Sequence, residues 1–399
     1  MLRILFVVPQ MPQDPSSGAA RSLTTICEML AESGFVVRAL GTTGTENAAH
    51  MEPLAYLRGL GCDVHVAAGR TGNRIRPELE FTRRGIGYRL LDIGRKTMAH
   101  WEHTCGRQFD LAFDDELHRF QPDILFTFGG STGDVQRQHR ARRQGTKIVF
   151  GLRNEGYFKQ GFFDHVDAVL TPSRYLSSRY REAIGVESTP LPTPIELDDV
   201  LAEERDPIFA TMINPAIEKG LMFFARLAEE LSIRRPDIPV LVIESRGTAG
   251  RLATAGLAGG FDLQRHENLM FSPAVPKPKD IFVPAKTLLA PSLIEASGRV
   301  VVEALLNGVP PLVSDRGGLA EAANGGGFVL PLPQDLDVRC TRPVEASAVE
   351  PWIEAIVRLE DNVDFYARES QRAREASRAY LREELAPRYA EFFRKVAGG

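Results

Sequence analysis

The chain has 399 residues, of which 43% are hydrophobic and 25% charged, and a formal net charge of −4. That length suits two domains of ordinary size, and that charge gives no general attraction to nucleic acid. The apolar start Ile4–Val8 stops at Pro9, too short for a signal-peptide core or a spanning helix. Cys27, Cys62, Cys105 and Cys340 have no metal-like spacing and read as thiols of a reducing compartment. The histidines, including His100, His103 and His118, lack ligand spacing as well. The expectation is a cytoplasmic enzyme, free or peripheral at the inner face of the membrane.

Arg3–Pro9 reads as a buried parallel strand, a short apolar run stopped by proline. A Pro/Ser/Gly loop follows over Gln10–Ala19, then a helix over Arg21–Glu32 with Leu23, Ile26, Cys27 and Leu30 on one face. Phe35–Leu40, Asp63–Ala67, Asp123–Phe128, Lys147–Leu152 and Ala168–Thr171 are the next strands. Helical patterns such as Ala112–Phe120 and Arg174–Ile184 separate several of them. That alternation predicts an open parallel sheet. The proline-dense Pro190–Ile195 is the linker. The second half restarts with strand Ile208–Ile213, helix Leu221–Leu231, and strands Val240–Glu244, Leu269–Phe271, Thr287–Ala290 and Pro311–Ser314. Val349–Val396 reads as a helical, polar tail. The fold class is α/β, with two Rossmann-like domains facing a central cleft: 1–190 and 205–370.

Pro291-Ser-Leu-Ile-Glu295-Ala-Ser-Gly298-Arg299-Val300-Val-Val-Glu303 carries most of the chemistry. It reads as a loop after a strand, then a helix from Arg299 that stops at Gly308. Gly298 lets the backbone approach a ligand closely. A helix N-terminus at a small-residue loop is an anion site, because free N–H groups and the helix dipole point the same way. Glu295 then lies in the loop, and Glu303 one turn into the helix, four residues after Arg299. Carboxylates repel phosphate but suit a pair of ribose hydroxyls.

This element resembles the Glu-x7-Glu motif of retaining glycosyltransferases of family 4, which have the GT-B architecture. The flanking Gly308-Val309-Pro310 and the turn Gly317-Gly318-Leu319-Ala320-Glu321 strengthen the resemblance. It implies that Glu303 holds the donor ribose. Glu295 would meet the donor sugar hydroxyls, and the Gly298–Val300 backbone the diphosphate. It also implies that the last helix, over 375–399, crosses back to the N-terminal domain. That domain would bind the acceptor, and the second domain the nucleotide-sugar donor.

Asn214-Pro-Ala-Ile-Glu-Lys219-Gly220 follows the first strand of the second half. The family has Arg, then Lys five residues later, then Gly. Lys219 and Gly220 match, and Lys219 serves as a point charge for phosphate. Asn214 stands where Arg is expected and cannot neutralise a phosphate. Arg246, at the end of the next strand, is the candidate replacement cation. Gly18, in Ser16-Ser-Gly-Ala-Ala-Arg-Ser22, corresponds to the family's glycine-rich first loop, with Ala19 in place of its second glycine. Arg153 or Asn154 stands where many members place a His against the donor sugar; Arg153, Asn154 and Glu155 are cleft candidates, and Gly130 lies in another loop at the cleft rim. No Gly-x-Gly-x-x-Gly follows the first strand, which argues against a nicotinamide cofactor. Arg70–Arg107 is locally basic and is a candidate contact for an anionic acceptor or membrane surface.

The expected reaction is transfer of a hexose-type sugar, with retention, from a nucleotide-diphosphate sugar to an acceptor hydroxyl. Uridine or guanosine diphosphate is the expected carrier. The acceptor is a glycan, a lipid or a small molecule. No metal or further cofactor is expected, because Lys219, Arg246 and the helix N-terminus supply the positive charge. The same architecture also serves nucleotide-sugar epimerases and sugar phosphorylases. A degenerate, non-catalytic sugar-nucleotide binder is the remaining alternative.

Overall fold

The computed structural model describes residues 1–46, 51–67, 76–95, 101–275, 277–340 and 342–398. The chain forms two compact units, one of Met1–Pro172, Ser177–Pro194 and Arg382–Gly399, the other of Ser173–Leu176 and Ile195–Leu381.

The first unit runs β1 (Arg3–Val7), α1 (Gly18–Glu32), β2 (Val36–Thr42), α2 (Pro53–Gly59), β3 (His65–Ala67), β4 (Glu78–Arg83) and β5 (Ile86–Leu91). It continues through α3 (Trp101–Phe120), β6 (Ile124–Thr127), α4 (Thr132–Arg143), β7 (Lys147–Gly151), β8 (Ala168–Thr171), α5 (Arg174–Ile184, of which Arg174–Leu176 count with the second unit) and β9 (Thr189–Pro190). Among the described residues the strand order is β3-β4-β5-β2-β1-β6-β7-β8-β9. The order reverses at β1, so the loops leaving the carboxyl ends of β1 and β6 flank a topological switch point.

The expected all-parallel sheet holds from β5 to β9 and fails at the edge. β4 runs antiparallel to both β3 and β5. Arg83 pairs with Ile86, and Arg84 and Gly85 between them both have positive φ, 47° and 76°. A two-residue turn with both central residues left-handed matches the twist of a hairpin. The loop expected to reach Ala19 is shorter, because Ser17 caps α1 through its side chain and the helix starts at Gly18.

The second unit runs α6 (Leu197–Val200), β10 (Phe209–Ile213), α7 (Leu221–Arg234), β11 (Val240–Ile243), α8 (Ala249–Ala258), β12 (Leu269–Ser272), α9 (Pro278–Phe282) and β13 (Ala285–Ala290). Then come α10 (Arg299–Leu306), β14 (Pro311–Ser314), α11 (Leu319–Ala323), β15 (Phe328–Leu330), α12 (Glu350–Asp361) and α13 (Val363–Ser377). Its strands are all parallel, in the order β12-β11-β10-β13-β14-β15. Adjacent β10 and β13 straddle the reversal, where doubly wound sheets bind ligands. The buried faces of α7 and α12 close one side of this sheet, with Phe223 and Trp352 at 5.3 Å. α10 and α11 belong to the core on the other side.

The last helix, α14 (Arg382–Ala397), lies in the first unit. Leu385, Tyr389, Ala390 and Phe393 join the core of β1, β6 and β7, and Phe393 meets Phe126 edge-on at 5.3 Å. The Tyr389 hydroxyl reaches the carbonyls of Leu191 and Pro192 at 3.2 and 3.0 Å.

Candidate active site

Two loops leave the switch point of the second unit, Asn214–Gly220 after β10 and Pro291–Gly298 after β13. The Leu293 and Ile294 N–H groups donate to the Glu218 carbonyl at 2.9 and 3.3 Å, which ties the loops together. Gly220 has φ 82°, and a Cβ there would sit 1.9 Å from the Pro291 carbonyl oxygen, so this crossing admits only glycine. The result is an ion pair between Lys219 Nζ and Glu295 Oε2, across 76 positions of sequence. Both side chains are about four-fifths buried, at 21% and 17% exposure.

The Glu295 loop is held from every side. The Gly318 N–H donates to the Glu295 carbonyl at 2.8 Å, and Ser314 Oγ donates to the Ser292 carbonyl at 2.6 Å. Side chains at Gly317 and Gly318 would strike the Glu295 and Ala296 carbonyls at 2.4 and 2.7 Å. Ser173 Oγ donates to the Ala296 carbonyl at 2.6 Å. Beside it, the Glu321 carboxylate accepts the N–H groups of Arg174 and Tyr175 of the same unit at 2.9 and 3.1 Å. The sequence hinted at this last role only through the double-glycine turn before Glu321. The part of Glu218 is a backbone one and left no sequence signal.

Gly298 caps α10 with φ 69°. Packing within the unit by itself already requires glycine there. Its φ is left-handed, and a Cβ would sit 2.9 Å from Leu319 Cδ2 and 3.0 Å from Ala322 Cβ of α11. α10 turns Val301, Val302, Ala304, Leu305 and Leu306 inward, with Val300 half-buried. On its polar side Arg299 Nε donates to Glu303 Oε1 at 2.8 Å. Glu303 is buried, at 7% exposure.

Asn214, a donor-site candidate from the sequence, makes a contact within the fold. Its φ is 58°, and its Oδ1 accepts the buried Gly247 N–H at 2.7 Å. Asparagine tolerates that backbone region and fastens the β10 loop to the β11 loop. Arg246, the expected replacement cation, is 59% exposed in its side chain, with Nη2 3.4 Å from Glu218 Oε1.

In the first unit, Gly18 opens α1 with nothing within 4 Å of where a Cβ would lie, so no contact there demands glycine. Gly130 lies under Tyr157, whose Cε1 would be 2.6 Å from a Cβ. Arg153 is 8% exposed, with Nη1 3.3 Å from Thr193 Oγ1. Burial lowers its pKa from the usual value. Asn154 caps the Gly156 N–H at 2.8 Å, and Glu155 lies 3.5 Å from Arg179 Nε. The basic run Arg70–Arg107 also loses members as a docking surface. Arg83 and Arg84 pair with buried Glu28, and Arg89 with Glu78, Asp115 and Glu116. Arg70, Arg74, Lys96 and His100 lie outside the described residues. No described helix is long and apolar enough to cross a membrane.

Residues 196–336 match the family model described as glycosyl transferases group 1. No curated protein matches the sequence. Among solved structures, sucrose-phosphate synthase from Thermosynechococcus elongatus is similar at 16% identity and TM-score 0.68, over 99% of each chain. HepE of Anabaena, solved with UDP and glucose, is 13% identical with TM-score 0.66, over 99% of this chain and 100% of that one. The catalytic domain of starch synthase IV from Arabidopsis thaliana, bound to ADP and acarbose, is 12% identical with TM-score 0.68 over the whole of both. The fold is therefore GT-B, and the matched segment spans the two loops that carry Lys219 and Glu295 and the helix α10 that carries Glu303.

Proposed function

We propose that the protein is a retaining glycosyltransferase that moves a hexose-type sugar from a nucleotide-diphosphate sugar to an acceptor hydroxyl. The observation that carries this reading is the meeting of Lys219 and Glu295, from two loops at the switch point of the second unit. The group 1 match over 196–336 supports it.

In this reading Glu303 binds the ribose hydroxyls and Glu295 the donor sugar hydroxyls. The Gly298–Val300 backbone, at the start of α10, receives the diphosphate. Lys219 stabilises the charge that grows on the diphosphate as the bond to the anomeric carbon breaks. The acceptor oxygen bonds that carbon from the same face, and its proton passes to a donor phosphate oxygen. The first unit, 1–190 with the last helix, binds the acceptor. A glycan, a lipid or a small molecule could fill that role.

A uridine carrier is the first choice, and the HepE structures with UDP and UDP-glucose support it. ADP on starch synthase IV keeps adenosine in the comparison. The test is a thermal-shift panel of uridine, guanosine, adenosine and thymidine diphosphates against wild type and Glu303→Ala. A ligand at ~100 times its Kd stabilises by about 2.7 kcal/mol. One nucleotide stabilising wild type alone supports the reading, and the anomeric configuration of the product then tests retention. No shift from any nucleotide refutes it.

Asn214 favours a second reading. With its amide on Gly247 it provides no charge, as in a sugar-nucleotide binder without turnover. Nucleotide binding with no product on any acceptor would select that reading.

A further inference from the structure

We infer that Arg299 is the second phosphate cation, and that the donor's own ribose releases it from Glu303. This rests on the donor reading above and adds to it a side chain and an order of events.

The candidate site is self-neutralised. Lys219 pairs with Glu295, Arg299 with Glu303 and Arg246 with Glu218. A diphosphate entering such a site gains little from charge unless a pair opens. The Arg246–Glu218 pair is exposed, at 59% and 39% of the side chains, so water and salt weaken whatever it offers. The Arg299–Glu303 pair is drier, at 19% and 10%. Its guanidinium is also incompletely satisfied: Nη1 is buried and has no hydrogen-bond partner among the described residues. A buried charged donor without an acceptor is costly.

Position makes phosphate the fitting acceptor. Arg299 is the first residue of α10, directly after Gly298, which has no side chain to bond the helix's free N–H groups. Once freed from Glu303, the Arg299 guanidinium can join those N–H groups on an anion there. Glu303 can give Arg299 up only to other donors. Two ribose hydroxyls are neutral donors, so they satisfy the carboxylate without cancelling the arginine's charge. The ribose thus takes the carboxylate and the diphosphate takes the cation, with no covalent step. Asn214 is no obstacle under this arrangement, because the missing charge comes from α10 and not from the β10 loop.

The test uses the full chain and calorimetric titration of four probes. They are the nucleoside 5′-diphosphate picked by the panel above, its 5′-monophosphate, and the 2′,3′-dideoxy form of each. The readout is the diphosphate-to-monophosphate affinity ratio. Arg299→Gln should cut that ratio roughly ten- to hundredfold, the span of one charge-assisted hydrogen bond. Arg299→Lys should recover part of it. In wild type the ratio should fall for the dideoxy pair, since Arg299 then stays on Glu303. In Glu303→Gln it should be the same with or without ribose hydroxyls. An unchanged ratio in Arg299→Gln overturns the inference, even if that variant loses ribose discrimination, because Arg299 would then only hold Glu303. Failure of wild type to bind any diphosphate removes the donor reading itself, and the exchange with it.

Discussion

Placing at position 214 the arginine that the resemblance leads one to expect should damage this protein. Asn214 holds φ 58° and accepts the Gly247 N–H at 2.7 Å in a buried setting. An ordinary side chain in the left-handed region costs roughly 1–2 kcal/mol. Leaving a buried N–H unpaired costs about 1–3 kcal/mol more. Asn214→Arg should therefore lose on the order of 2–5 kcal/mol, or roughly 4–20 °C in the melting of a unit this size. Asn214→Gly keeps the backbone freedom and loses only the hydrogen bond, so it should lie between. Asn214→Asp keeps both the acceptor and the tolerance of positive φ, and should stay near wild type. Scanning calorimetry of the four proteins gives the order. The reasoning fails if the Arg variant melts within about 2 °C of wild type, or if Asp costs as much as Arg.

Three further outcomes are expected. Lys219→Ala should lower kcat by at least ~100-fold with the acceptor saturating, the usual cost of one preorganised charge on the leaving group; full activity would mean that Lys219 does not stabilise leaving-group charge. Gly220→Ala should lose both stability and nucleotide binding, since its Cβ would lie 1.9 Å from the Pro291 carbonyl oxygen. Unchanged melting and affinity would mean the two loops are not so tightly crossed. His165 is held below its usual 6.5 by burial first and by His139 second, their rings 3.5 Å apart. The unfolded ring therefore takes its proton at higher pH than the folded one, so this contribution to stability is present above pH 6.5 and lost as pH falls below it. Urea midpoints at pH 7 and pH 5 should differ less in His165→Gln than in wild type, and equal differences would count against the shift.

The strands of the two sheet centres were legible because a buried parallel strand is a short apolar run, and Lys147, Ala168 and Pro311 begin strands where the pattern says. The hairpin Glu78–Leu91 was not, because its turn uses Arg84 in the left-handed region and lacks the usual Asn-Gly signal. Spacing alone put Arg299 and Glu303 on one helix face, since an i, i+4 relation is local. It could not put Lys219 on Glu295, nor reveal that Asn214 spends its amide on Gly247. Those contacts cross 76 and 33 positions of chain and exist only once β10, β11 and β13 lie side by side. The residue types capable of the chemistry are local properties of the sequence. Which charges neutralise one another, and which are left without a partner, is decided by the packing of the second unit's switch-point loops, because an ion pair depends on distance and burial that no linear pattern encodes.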